Sequence, residues 1–201
     1  MSASAAREPT LLAAVVAFWL VVVVLVTSVS VAYGWVPDAA GTARPAPSPA
    51  DTTEPAGPVA VTLPDAAVVV FPRPPSRDEQ LVDVAGTETP LTLYSVADTD
   101  GTTFSAGAIT YPDTVDVDDP AVNLIGSVSG AAANVGGRVV AQEITVYQGA
   151  PAAEFEIEAN GVRLLARNVL DGRRLYTLSV AFRGEAPAAA EAFLESLDLA
   201  P

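Results

Sequence analysis

The apolar positions of the chain fall into three patterns. Between Thr10 and Val36 no residue is charged, and Leu11 to Val26 (LLAAVVAFWLVVVVLV) is an unbroken apolar run of sixteen. Such a run has no polar face to offer water. In lipid a helix satisfies its own backbone groups, and with Thr27 to Tyr33 the run reaches the roughly 20 residues that cross a bilayer. Tyr33 and Trp35 stand where an interfacial aromatic belt would lie. We expect a transmembrane anchor over 10–36 behind a cytoplasmic tail, 1–9. The competing outcome is a cleaved signal peptide, with Arg7 as its basic region and Ser30-Val31-Ala32 as a small-x-small cleavage site. The apolar run exceeds the ~7–15 residues of such signals, which favours the anchor.

The second pattern is the loss of apolar residues. Pro37 to Pro58 holds six prolines and no Leu, Ile, Val or aromatic residue, so it cannot bury enough surface to offset its ordering entropy. Residues 37–59 read as a Pro/Ala-rich linker. As polyproline II, at ~3.1 Å per residue, such a linker would hold a folded unit up to about 70 Å from the bilayer.

The third pattern, over 60–201, alternates short apolar runs with turn residues, at a length that suits one domain. Strands are expected at Ala67–Phe71, Gln80–Val84, Leu91–Ala97 and Thr103–Tyr111, the last two joined by a hairpin at Asp98-Thr99-Asp100-Gly101. Asp119 as cap and Pro120 at the first helical position start a helix. Val122, Ile125, Val128, Ala132 and Val135 recur along it at helical spacing, and Gly136-Gly137 stops it. Three strands follow. Asn160-Gly161 is a two-residue hairpin signal, and its register sets Glu158 opposite Arg163 and Glu154 opposite Arg167 on one face, with Ile157 opposite Leu164 and Phe155 opposite Ala166 on the other. Asp171-Gly172 turns into Leu175–Phe182 in a register that Arg173 and Arg174 leave open. A closing helix over Pro187–Leu197 presents Ala190, Phe193, Leu194 and Leu197. The expected core is Val69, Phe71, Leu93, Ile125, Val128, Ile157, Leu164, Leu178, Phe193 and Leu197.

Composition narrows the chemistry. Of 201 residues 24 are acidic and 10 basic, giving a net charge of −14, and His, Cys and Lys are all absent. Triads built on His, Schiff-base chemistry and His or thiolate metal sites are thereby excluded, as is a lipid-modified Cys. The charge repels nucleic acid and anionic headgroups, so no nucleic-acid partner is expected. Asp113, Asp116, Asp118 and Asp119 lack the spacing and the glutamate of a calcium loop and read as a solvated helix lead-in. Glu154, Glu156 and Glu158 read as the polar side of a strand. We expect no catalytic, cofactor-binding or metal-binding residues, and no enzyme activity.

The runs Val68-Val69-Val70-Phe71-Pro72, Tyr111-Pro112, Gly149-Ala150-Pro151-Ala152-Ala153-Glu154, Asp171-Gly172-Arg173-Arg174-Leu175-Tyr176-Thr177-Leu178 and Phe193-Leu194-Glu195-Ser196-Leu197 resemble the PsbP-like superfamily, and within it the LpqN-type envelope proteins of actinobacteria. The resemblance covers about 66–199. It implies an α+β fold, an antiparallel β-sheet flanked by helices as an α/β/α sandwich, used as an accessory or binding module. The expectation is a single-pass membrane protein with its C-terminal domain, 60–201, extracytoplasmic. Its partner would be a protein or envelope component. The alternative is a carrier that holds an apolar small molecule or lipid between the sheet and the small residues Gly126 to Ala133 of the first helix.

Overall fold

The computed structural model describes residues 57–199. The expected tail, the anchor over 10–36 and the linker up to residue 56 lie outside the described residues. Among the described residues no helix is long and apolar enough to cross a membrane.

Among the described residues nine strands and two α-helices follow one another, with a 3-10 turn (Pro64–Ala66) between the first two strands: β1 (Val59–Thr62), β2 (Val68–Phe71), β3 (Ser76–Val84), β4 (Thr87–Ala97), β5 (Thr103–Thr110), α1 (Pro120–Asn134), β6 (Arg138–Tyr147), β7 (Ala150–Ala159), β8 (Val162–Asp171), β9 (Arg174–Phe182) and α2 (Ala189–Leu194). Strands β3 to β9 form one sheet in the order β3-β4-β5-β9-β8-β7-β6, antiparallel throughout. The order follows from turn chemistry. Ala85-Gly86, Gln148-Gly149 and Asn160-Gly161 all have positive φ, as two-residue hairpin turns require, so β3–β4, β6–β7 and β7–β8 are tight neighbours. No tight turn joins β5 to β6. The chain instead crosses the sheet through α1, starts β6 at the far edge and returns strand by strand until β9 pairs with β5 at the centre.

Each sheet face carries its own core. On one, Leu91, Leu93, Ile109, Phe155, Ile157 and Leu164 pack against Leu124, Val128 and Ala131 of α1. On the other, Phe104, Ala106, Leu178 and Val180 pack under the β1–β2 ribbon and α2. Phe193 stands edge-on to Phe71 and Phe104, at centroid distances of 5.1 and 5.3 Å. Helices thus flank an antiparallel sheet, as expected.

Three expectations need correction. Ile125, placed in the core, is 46% exposed, and Val122 equally so. The buried side of α1 runs through Leu124, Ser127, Val128 and Ala131 instead. Ser127 fixes this phase: its hydroxyl is the 2.7 Å acceptor for Asn168 Nδ2, while Thr177 Oγ1 donates to Asn168 Oδ1 at 2.8 Å. A different rotation would strand a fully buried Asn. Second, the linker expectation ran through 59, yet Val59 already belongs to β1, whose partner is β2. Third, the closing helix is shorter than Pro187–Leu197. Its last residues leave the helix because Asp198 exchanges two backbone hydrogen bonds with Val68, both 2.8 Å, and Ser196 Oγ accepts from Val70 N–H at 3.1 Å.

Candidate functional site

Strand alternation on β7 turns Ala153, Phe155 and Ile157 toward α1 and Glu154, Glu156 and Glu158 toward α2. The expected hairpin register holds at every pair: Glu154 faces Arg167, Phe155 faces Ala166, Ile157 faces Leu164 and Glu158 faces Arg163. The ion pairs follow it only in part. Glu154 does bind Arg167. Arg163, however, reaches diagonally to Glu156, Nε to Oε1 2.6 Å, with its guanidinium 5.3 Å from the Phe182 ring, and Glu158 is taken by Arg138 of β6.

Arg167 organises this face. It is 5% exposed and lies beside Leu178 in the sheet. Nη2 donates to Glu154 Oε1 at 2.7 Å and Glu195 Oε1 at 2.6 Å, and Nη1 donates to the Leu194 carbonyl at 2.6 Å. The Tyr147 ring stacks 4.4 Å from the guanidinium carbon. Tyr147 Oη shares its one proton between the carbonyls of Leu197, at 2.7 Å, and Glu195, at 2.9 Å, and Gln148 Nε2 donates to that of Leu197. Together these groups satisfy the carbonyls of Leu194 and Glu195 at the end of α2 and of Leu197 just beyond it. Burial opposes the charge of Arg167, but the hydrogen bonds it donates to Glu195 and Glu154, with their negative charges, outweigh it and raise its pKa. In return, Arg167 lowers the pKa of Glu195. Burial raises that of Tyr147.

Docking α2 this way leaves an open cleft of about 640 Å³ between the β6–β7–β8 surface and the segment Ala186–Glu195. Ala141, Leu165, Ala190 and Leu194 give it an apolar floor and wall. Five glutamates line it, Glu143, Glu154, Glu156, Glu191 and Glu195, against the single arginine Arg167. Glu143 of β6 sits directly opposite Glu154 of β7, a like-charge cross-strand pair that works against the sheet. Among the described residues Glu143 and Glu191 enter no ion pair. No group of three His, Cys, Asp or Glu among the described residues could hold a metal ion.

The other sequence candidates have local duties. Asp119 caps α1 by accepting from Val122 N–H at 3.1 Å, and Asp116 accepts from Asp118 N–H at 2.9 Å. Their loop is held by Arg173, whose guanidinium donates to the carbonyls of Tyr111, Pro112 and Val115. That role also explains the undecided register: Asp171 pairs with Arg174, leaving Gly172-Arg173 as the turn, so Arg173 is free to reach the loop. The small residues Ser127, Gly130, Ala131 and Ala132 are buried on the α1 side, opposite the cleft.

Sequence reasoning placed Glu154 and Arg167 but missed Tyr147, Gln148, Glu191 and Glu195. One signal was available. Strand alternation puts Arg167 on one face with Leu165 and Val169, and an arginine in an apolar row calls for partners beyond its strand neighbour.

Neither a family model nor a curated protein sequence matches the chain. Solved structures do. The solution structure of cyanobacterial PsbP (CyanoP) from Synechocystis sp. PCC 6803 superposes with a TM-score of 0.50 at 13% identity, covering 76% of this chain and 98% of that one. The chain therefore has a PsbP-like fold.

Proposed function

We propose that the chain is a membrane-tethered, extracytoplasmic accessory module of the LpqN-like envelope kind, which binds a protein or envelope component and catalyses nothing. The observation that carries this reading is the cleft beside α2. It has an apolar floor and an acidic rim, and it opens beside an edge strand on a fold otherwise packed on both faces. Its carboxylates are paired with arginines or spread along the walls, which suits recognition of a surface better than bond making. The uncharged stretch over 10–36 supplies the anchor and the Pro-rich segment the reach. A carrier would need room beneath α1, where Leu124 and Val128 are fully buried against the sheet.

Fractionation of cells making the full chain tests this reading. The expected result is a membrane-bound protein of full mass whose domain is digested by protease added outside intact cells. A soluble product starting near Tyr33 would defeat the anchor, and a protected domain would reverse the orientation. Crosslinking in the native membrane should capture a partner on cleft residues.

A further inference from the structure

Strand β6 has a neighbour on one side only among the described residues, so the backbone of its outer edge is open along ten residues. Open edges invite strand addition, and proteins blunt them with charge and bulges. The other edge, β3, carries Arg77, Asp78, Glu79 and Asp83. On β6 the register shift between Val139 and Ala141 and the charge of Arg138 lie at one end, Glu143 stands mid-strand facing the cleft, and Ile144 to Tyr147 is uncharged.

The two sides of that open edge differ in chemistry. Toward the cleft lie Glu143 and, on the opposite wall, Glu191, neither of them in an ion pair among the described residues, with Glu154 across from Glu143. A cation placed between Glu143 and Glu154 would relieve their repulsion. Toward α1 lie Ile144 and Val146, the latter 69% exposed. On α1, Ile125 is exposed and lies about 200° around the helix from Ser127, which is turned to Asn168 of β8, so Ile125 stands on the flank away from β8.

We infer that β6 receives an extended segment of a partner protein as an eighth strand of the sheet, in which Lys or Arg alternates with Val, Ile or Leu. Successive side chains of a strand point to opposite faces. The basic ones therefore enter the acidic cleft, while the apolar ones cover Ile144, Val146 and Ile125. Backbone hydrogen bonds to β6 supply the common part of the affinity, and the two faces supply the pattern. A second copy of this chain is a poor occupant, since its own β6 would bring another glutamate to the acidic side and the chain carries −14. This inference rests on the binding-module reading for its biological sense, but not for its test.

The test uses the full chain in detergent and a labelled peptide as long as β6, in which Lys and Val alternate, followed by fluorescence anisotropy. The control peptide has the same composition as a Lys block followed by a Val block. Saturable binding of the alternating peptide is expected, at least about tenfold tighter than the block peptide. It should weaken about tenfold in E143Q/E191Q, as two charge-assisted contacts are lost, and by a similar factor in Val146→Lys. All three positions are exposed, so the variants should fold as the parent does, and E143Q/E191Q should melt no lower than the parent because it relieves the Glu143–Glu154 repulsion. Equal affinity for both peptides would mean unspecific attraction to an acidic protein and would overturn the inference, as would no binding or an affinity within about twofold in E143Q/E191Q. Such a failure leaves the fractionation and crosslinking results untouched, so the two readings can fail separately.

Discussion

Replacing Arg167 asks whether the clamp on α2 acts through charge or through volume. The guanidinium is buried, but its carboxylate partners are about half exposed, at 47% for Glu154 and 57% for Glu195, so each ion pair contributes only ~0.2–1 kcal/mol. The bond to the Leu194 carbonyl adds ~1.5 kcal/mol or more, and the stack on Tyr147 about 0.5–2 kcal/mol. Against these stands the cost of keeping a guanidinium out of water, which disappears with the side chain. Arg167→Ala, which also leaves a void, should lose about 3 kcal/mol. Arg167→Met, which refills the volume, should lose about 1–2 kcal/mol. Urea melts of the parent and both variants at neutral pH measure this. Acid provides a second reading. Arg167 holds the Glu195 pKa below its ordinary 4.5. The stability this gives is fully present above the unfolded value and is lost as pH falls through the depressed folded one. The gap between parent and Arg167→Met should therefore narrow between neutral pH and about pH 3. A gap that is constant with pH would show that Glu195 draws nothing from Arg167. An Arg167→Met variant as unstable as Arg167→Ala would show that charge, not volume, holds α2.

Phe193→Ala, which removes the ring between Phe71 and Phe104, should cost about 3–5 kcal/mol in a denaturant melt; a loss under about 1 kcal/mol would mean that α2 is not docked as described. A Cβ on Gly137 would stand 2.7 Å from the Glu158 carbonyl oxygen and 2.9 Å from Ile157 Cγ2, so Gly137→Ala should cost about 1–3 kcal/mol by forcing β6 from β7. Gly136→Ala serves as its comparison, with open space and a φ of +59°, and should cost about 1–2 kcal/mol of backbone strain without loosening β6 in hydrogen exchange. A Cβ at Gly161 meets only the flexible end of Arg183, at 3.5 Å, so the loss in Gly161→Val, at least about 1–2 kcal/mol, would come chiefly from the φ of +74°. A neutral melt for Gly161→Val would contradict the Asn160-Gly161 turn.

What could be read from the sequence was whatever local chemistry determines alone. Asn160-Gly161 and the alternation of Glu154 to Glu158 point to the same register, and the structure has that register. The phase of α1 was not readable in this way. Pro120 to Asn134 is apolar or small on every side, so a stripe through Val122 and Ile125 fits the spacing as well as one through Leu124 and Val128. The choice is made by Asn168, over forty residues further on. β1 was hidden for a related reason: its four residues follow a Pro-rich run and become a strand only against Val68–Phe71. The cleft needed both kinds of information. Its glutamates were visible in the β7 pattern, but its second wall exists because Arg167, Tyr147 and Gln148 hold the end of α2, a contact spanning up to fifty residues.

The short β1–β2 ribbon also decides how the domain bears load. Any pull transmitted from the residues before 57 enters at Val59, whose pairing partner Phe71 lies at the same end of the ribbon. A force there opens the ribbon one hydrogen-bonded pair at a time, like a zip, instead of shearing all four pairs together. Behind it stand Val68, exchanging backbone bonds with Asp198, and Phe71, edge-on to Phe193. The C-terminal segment is therefore the next link in series, and the seven-stranded sheet is the last. Under tension the ribbon would act as a mechanical fuse: it gives way at low force and lengthens the connection while the cleft-bearing sheet stays intact.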